Sequence, residues 1–495
     1  MAGARMAAAV AALALCLGGV VPALGAAPPA LGRGGDAPAP RLPGELKIRH
    51  EPFGEVTVYR PVGTAASVAL FISGDGGWNL GVVDMARHLL EQGAIVVGID
   101  IRHYLAAVNA PATACRSFAV DFEELAHALE QQLKVEEYLL PVLVGYSSGA
   151  TLAYATLVQA PKGTFAGALS LGFCPDLPLT AKVCRGSGLE YEAQYPRAPD
   201  PAPASGVIFK TAPANATRWV AFQGEADQVC SATATREFVA ATANAELVWL
   251  PKVGHGYAVE RNWLPQFRQH YAQLAARAAA APLSAPEVRD LPLVEVPAPP
   301  GAAGETGLFA VLLTGDGGWS GIDQDVAAAL AAGGVPVVGF NTLKYFWHAR
   351  TPEAAARDLE RVIRRYHSIW NRPQLLLVGY SFGADVLPFL YLRLSDEVRA
   401  QVRSVSLLGL SDTASFEFHV SDWIPGAGGA GLPVAPEVER LKAVPVLCLY
   451  GSDEHDSPCP RLKGPGITAA AVAGGHHFGG DYQALARRIL EHARE

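Results

Sequence analysis

The strongest constraint on this chain is that it is written twice. VALFISGDGGWNLGVVDMARHLLEQGAIVVGID, starting at Val68, returns as AVLLTGDGGWSGIDQDVAAALAAGGVPVVGFN, starting at Ala310. LVGYSSGATLAYATL returns as LVGYSFGADVLPFLYL, GALSLGFCPDL as SVSLLGLSDTA, WVAFQGEADQVC as VLCLYGSDEHDSPC, and VGHGY as GGHHF. Five blocks in the same order, separated by far more than the period of a solenoid repeat, mean duplicated domains. A chain of 495 residues is long enough for two separate cores. The seam falls in AAAAPLSAPEVRD, where Ala, Pro and Ser replace periodic structure. The expected layout is a domain over 46–278, a linker over 279–285 and a second domain over 286–495.

Within each copy, short apolar runs such as VALFI, AIVVGI, PVLVGY, GALSL and WVAFQ alternate with helical patterns. Near-continuous apolar strands are those buried on both faces, so the pattern predicts a mostly parallel sheet flanked by helices. Half the residues are hydrophobic and 17% are charged, which suits a packed core and excludes extended disorder. The formal charge is -8 and no basic cluster exceeds Arg364-Arg365, so nucleic acid is not an expected partner.

Gly145-Tyr146-Ser147-Ser148-Gly149 and Gly379-Tyr380-Ser381-Phe382-Gly383 each follow a predicted strand and open a predicted helix. That is the setting of a nucleophile elbow, in which flanking glycines permit a strained turn that lifts the serine oxygen above the sheet. The fold class expected is therefore α/β, as two tandem α/β-hydrolase-like domains. A serine nucleophile needs a histidine base and a carboxylate behind it, in the chain order Ser, Asp, His. The first copy offers Asp227 and His255. The second offers His476 and Asp456, chosen because it stands three residues before Cys459 as Asp227 stands before Cys230; Asp453 and His477 are the alternatives. The backbone N–H groups of Ser148 and Phe382, with the glycine loops at Gly76 and Gly317, are the expected oxyanion donors. No phosphate-loop or zinc spacing occurs, and the chemistry calls for no cofactor and no metal. Asp385, one helical turn beyond Ser381, is either a recognition carboxylate for a cationic substrate or an acid favoured by the helix N-terminus.

The N-terminus reads as a cleaved export signal over 1–26: Arg5, an apolar run, then Pro22 and small residues, followed by a Pro/Ala/Gly-rich linker over 27–45. No other segment is apolar and long enough to span a membrane. Removing the signal takes away Cys16 and leaves six cysteines for an oxidising compartment. Cys448–Cys459 and the local Cys174–Cys184 are the expected disulfides, the latter being one of three connectivities open to the upstream four.

GDGGW, GYSFGADVLPF, YGSDEHDSPCP and GGHHFGGDY together resemble the AcvB/VirJ family of bacterial virulence proteins. The half over 286–495 is similar to the VirJ unit, and the two-domain layout to AcvB. The resemblance implies a periplasmic hydrolase of lysyl-phosphatidylglycerol, an aminoacylated phospholipid, with a link to virulence or type IV secretion. It also implies Ser381 as nucleophile with Asp456 and His476, and gives Asp385 a purpose against the cationic lysyl group; Tyr380 and Trp319 are the further expected substrate contacts. The rival expectations are a hydrolase of another ester or peptide, and a non-catalytic periplasmic scaffold of a secretion system.

Overall fold

A computed structural model describes residues 44–111, 115–195, 205–277, 285–300, 307–418 and 431–494. The expected signal segment and most of both linkers lie outside these residues.

The first half opens on β1 (Leu46–His50) and β2 (Gly54–Tyr59), then alternates strands and helices. The order is β3 (Ser67–Ile72), α1 (Leu80–Leu90), β4 (Ala94–Ile99), α2 (Ile101–Val108), α3 (Phe118–Gln132), β5 (Val142–Tyr146), α4 (Ser148–Gln159) and β6 (Gly167–Leu171). After a small antiparallel sheet of β7 (Asp176–Leu177), β8 (Tyr191–Gln194) and β9 (Gly206–Phe209) come β10 (Trp219–Gly224), α5 (Ala232–Ala240), β11 (Ala245–Leu250) and α6 (Leu264–Arg277). The main sheet runs β1-β2-β4-β3-β5-β6-β10-β11, parallel from β4 onward.

The second half repeats this plan. It contains β12 (Leu293–Val296), β13 (Leu308–Leu313), α7 (Gly321–Ala332), β14 (Val337–Phe340), α8 (Thr342–Tyr345), α9 (Pro352–Trp370), β15 (Gln374–Tyr380), α10 (Phe382–Tyr391), α11 (Asp396–Arg399) and β16 (Val402–Leu408). A two-strand pair, β17 (Thr413–Ala414) and β18 (Leu432–Pro433), precedes α12 (Ala435–Val438), β19 (Val446–Gly451), β20 (Ile467–Val472) and α13 (Tyr482–His492). Its sheet order is β12-β14-β13-β15-β16-β19-β20, so six parallel strands match one for one between the halves. Both halves are α/β-hydrolase folds.

Strands β3 to β6 are buried along nearly their whole length, as are β13 to β16. Each sheet separates two apolar layers, such as that of Leu70, Val97, Phe122 and Leu152 on one face and that of Phe71, Val144, Phe222 and Phe267 on the other. In both sheets the strand order reverses between two neighbours, β3/β5 in the first and β13/β15 in the second. Ligands of open α/β sheets bind at such a reversal, beyond the carboxyl ends of the strands. Both glycine loops and both elbows emerge there.

Candidate active sites

At each elbow the serine is held at positive φ, 55° at Ser147 and 50° at Ser381, with ψ of -123° and -120°. A non-glycine residue holds such a φ only where its surroundings impose it. The flanking glycines permit the tight turn that does so: a Cβ on Gly149 would lie 2.3 Å from the Ile72 carbonyl oxygen, and one on Gly383 2.2 Å from that of Leu313. The following helix is thereby seated directly on the sheet, with the N–H groups of its first turn lacking intrahelical acceptors.

In the first half the expected residues meet. His255 Nε2 lies 2.9 Å from Ser147 Oγ, and Nδ1 lies 2.9 Å from Asp227 Oδ2. The other Asp227 oxygen accepts the backbone N–H groups of Val229 and Cys230 at 2.8 and 2.9 Å, which fixes the carboxylate. Tyr146 OH donates to the His255 carbonyl at 3.0 Å and anchors the histidine loop. In the glycine loop, Asp75 accepts the Ser148 hydroxyl at 2.5 Å, and Asn79 donates to the Gly76 carbonyl at 2.8 Å.

In the second half the acid is a different residue from the one expected. His476 Nδ1 lies 2.5 Å from Glu454 Oε1, while Glu454 Oε2 accepts the Gly451 N–H at 2.5 Å. Asp456 is exposed, and its carbonyl accepts from Arg461; Asp453 is exposed and accepts from Ser452 Oγ. The correction has a simple cause. Asp227 stands three residues after Gly224, the last residue of β10, and Glu454 stands three after Gly451, the last of β19. Two extra residues before Cys459 make the cysteine a misleading ruler, whereas the strand end marks the position.

The ring on Glu454 is that of His476, while His477 Nδ1 lies 3.2 Å from Tyr380 OH. His476 packs against Gly409 as His255 packs against Gly172, and these glycines follow the corresponding strands β16 and β6. Among the described residues, however, no hydrogen bond closes between Ser381 Oγ and His476. Burial pulls the His476 pKa down, but the Glu454 hydrogen bond and the charges of Glu454, Asp316 and Asp385 outweigh it and leave it raised. Burial and the His476 charge lower that of His477.

Three expected substrate contacts are used otherwise. Tyr380 is buried and holds the histidine loop, the counterpart of Tyr146. Trp319 lies across Gly339 of β14, where a Cβ would come within 2.0 Å of the ring, as Trp78 lies across Gly98. Its indole therefore props the glycine loop on the sheet. Asp385 is 8% exposed and accepts the Ser411 N–H at 2.7 Å, and burial raises its pKa to about 7. Ser148 and Phe382 open the helices after the two serines, and the loop glycines set against the elbows are Gly74 and Gly315, whose Cβ positions lie 3.0 Å and 3.5 Å from the Cβ atoms of Ser147 and Ser381; Gly76 and Gly317 stand instead beside Asn79 and Ser320.

The disulfides join Cys115 to Cys184, Cys174 to Cys230 and Cys448 to Cys459. The local Cys174–Cys184 pairing is thus replaced. Cys174 follows β6 and Cys230 follows the neighbouring β10, so two loops at one sheet edge are joined; Cys184 instead lies beside Arg116, to whose carbonyl its N–H donates. Asp227, Cys230 and His255 present donor atoms close together, yet the Cys230 sulfur is committed to Cys174 and the other two to the relay.

No curated protein matches the chain. Solved structures of similar fold include a serine hydrolase of Xanthomonas campestris described as lacking a lid, at 20% identity and TM-score 0.30, over 48% of this chain and 96% of that one. Others are a serine hydrolase homologue of Coxiella burnetii, at 17% identity and TM-score 0.30, over 49% and 100% of the two chains, and an esterase domain of Rhodothermus marinus, at 13% identity and TM-score 0.32, over 48% and 98%. The family described as bacterial virulence protein (VirJ) matches residues 66–172 and 307–495. Those two stretches make up more than half of the sequence, one in each hydrolase fold, and the chain belongs to the VirJ family.

Proposed function

We propose that the protein is an exported periplasmic serine hydrolase, acting on the aminoacyl ester of lysyl-phosphatidylglycerol at the membrane surface and linked to virulence or type IV secretion. The observation that carries the hydrolase reading is the continuous hydrogen-bonded line from Ser147 through His255 to Asp227 beneath a strained elbow. A histidine held by a carboxylate on Nδ1 presents Nε2 to the serine as a base. The serine attacks the ester carbonyl while its proton passes to Nε2; the N–H of Ser148 and the loop at Gly76 stabilise the oxyanion. Collapse expels the alcohol, which takes the proton from the imidazolium, and water then releases the acid by the same route.

Ser381, His476 and Glu454 form the second proposed set, with donors at Phe382 and Gly317. Catalytic hydrogen bonds are often long before substrate binds, so the open Ser381–His476 link is compatible with this role. Three disulfides support folding in an oxidising compartment, and no described helix is long and apolar enough to cross a membrane.

The test is lysine release from vesicles containing lysyl-phosphatidylglycerol, measured for wild type, Ser147→Ala, Ser381→Ala and the double variant. Loss of several orders of magnitude in at least one single variant is expected. Plain ester hydrolysis without lysine release would replace the substrate; no release by wild type, with a virulence or secretion phenotype that survives Ser381→Ala and His476→Ala, would favour a scaffold.

A further inference from the structure

The first half builds part of the second half's site. Its α4–β6 turn sits against the second glycine loop: the Lys162 carbonyl accepts the Gly321 N–H at 2.9 Å, and Gly163 lies where a Cβ would be 2.6 Å from the Trp319 carbonyl oxygen. From α3, the Glu123 carboxyl reaches the same loop, with Oε1 3.5 Å from where a Cβ on Gly317 would lie. A second set of contacts grips the segment following α8. Trp347 Nε1 donates to the Val135 carbonyl at 2.9 Å, Gln131 donates to the Phe418 carbonyl at 2.6 Å, and His127, Tyr138, Trp347 and Phe418 pack together. The neighbouring Phe346 in turn lies against Phe382, the residue after the second serine. In the other direction nothing comparable exists among the described residues: the first glycine loop is held by Arg102 and Asn79 of its own half.

We infer that Glu123 and the 161–163 turn of the first half are positioning elements for the second active site, holding the 315–321 loop where its N–H groups meet a developing oxyanion. This rests on the hydrolase reading of Ser381. It gives the duplication an asymmetry: one half completes itself, and the other is completed by its twin. Burial and the Asp316 charge push Glu123 up to about 8, with Glu124 on the same helix adding to the shift and Tyr138 as the further titratable group facing it. Glu123 is therefore neutral at pH 7, and its ionisation at higher pH sets a negative charge beside Gly317, against an oxyanion.

The experiment uses the full chain with Ser147→Ala, so that a fluorophosphonate probe reports on Ser381. Glu123→Ala and Gly163→Ala should each slow its labelling about tenfold or more, the scale of a small misplacement of catalytic groups. Glu123→Gln should restore the parent's rate at pH 7 and abolish a fall above about pH 8 that the parent shows. Labelling of Ser147 in matched chains carrying Ser381→Ala reports that the first half is folded. Rates within twofold of the parent for the Ala variants, or an alkaline fall that survives in Glu123→Gln, would overturn the inference while leaving the hydrolase reading intact. A parent whose Ser381 does not label at all would overturn both.

Discussion

A histidine that is to take a proton from serine must be neutral, and His476 is held charged to a higher pH than a free imidazole. The sign of the consequence follows. Turnover at Ser381 should fall on the acid side at a pH above that of ordinary histidine, because protonated His476 cannot act as a base. Glu454→Gln removes the largest stabiliser of the charged ring, so the acid limb of the remaining activity should move to lower pH, read from kcat/KM profiles in the Ser147→Ala chain. The same substitution should lower kcat by about two to four orders of magnitude, whereas Asp456→Asn, on an exposed side chain that makes no hydrogen bond to the ring, should change it less than about twofold. At this scale the serines, histidines and Asp227 were legible from motif and chain order. Glu454 was not, because the loop from the acid to Cys459 is two residues longer than that from Asp227 to Cys230, so the end of the strand and not the cysteine is the physical landmark.

The elements were legible for a different reason. Parallel strands buried on both faces leave continuous apolar runs, and glycine pairs at 145/149 and 379/383 mark where a helix must approach the sheet too closely for a side chain. Gly383→Ala should cost about 1–3 kcal/mol by overpacking, measured as a lowered urea midpoint, together with loss of probe labelling at Ser381. What escaped the sequence were partners chosen in space. The small β7-β9-β8 sheet is built from short, unevenly buried strands with weak period-two signals. The disulfides likewise obey proximity of loops on neighbouring strands, which sequence separation does not report: Cys174 passes over Cys184, ten positions away, for Cys230, at a separation of 56.

Across the whole molecule, the two halves share a surface of aromatic packing and backbone hydrogen bonds that no motif announces. Residues such as Trp347 look like ordinary core positions until the partner element is known. Trp347 is 4% exposed and touches the first half through both its ring and its Nε1. Trp347→Ala should therefore cost about 3–5 kcal/mol and separate a single denaturant transition into two, followed by calorimetry or by fluorescence together with circular dichroism.

The bridge from Cys174 to Cys230 carries a consequence for the first relay. Cys230 supplies one of the two N–H groups that orient Asp227, so the loop holding the carboxylate behind His255 is tied through this disulfide to the loop after β6. Under reducing conditions that tie is lost, and the carboxylate depends on the rest of its own loop for its orientation.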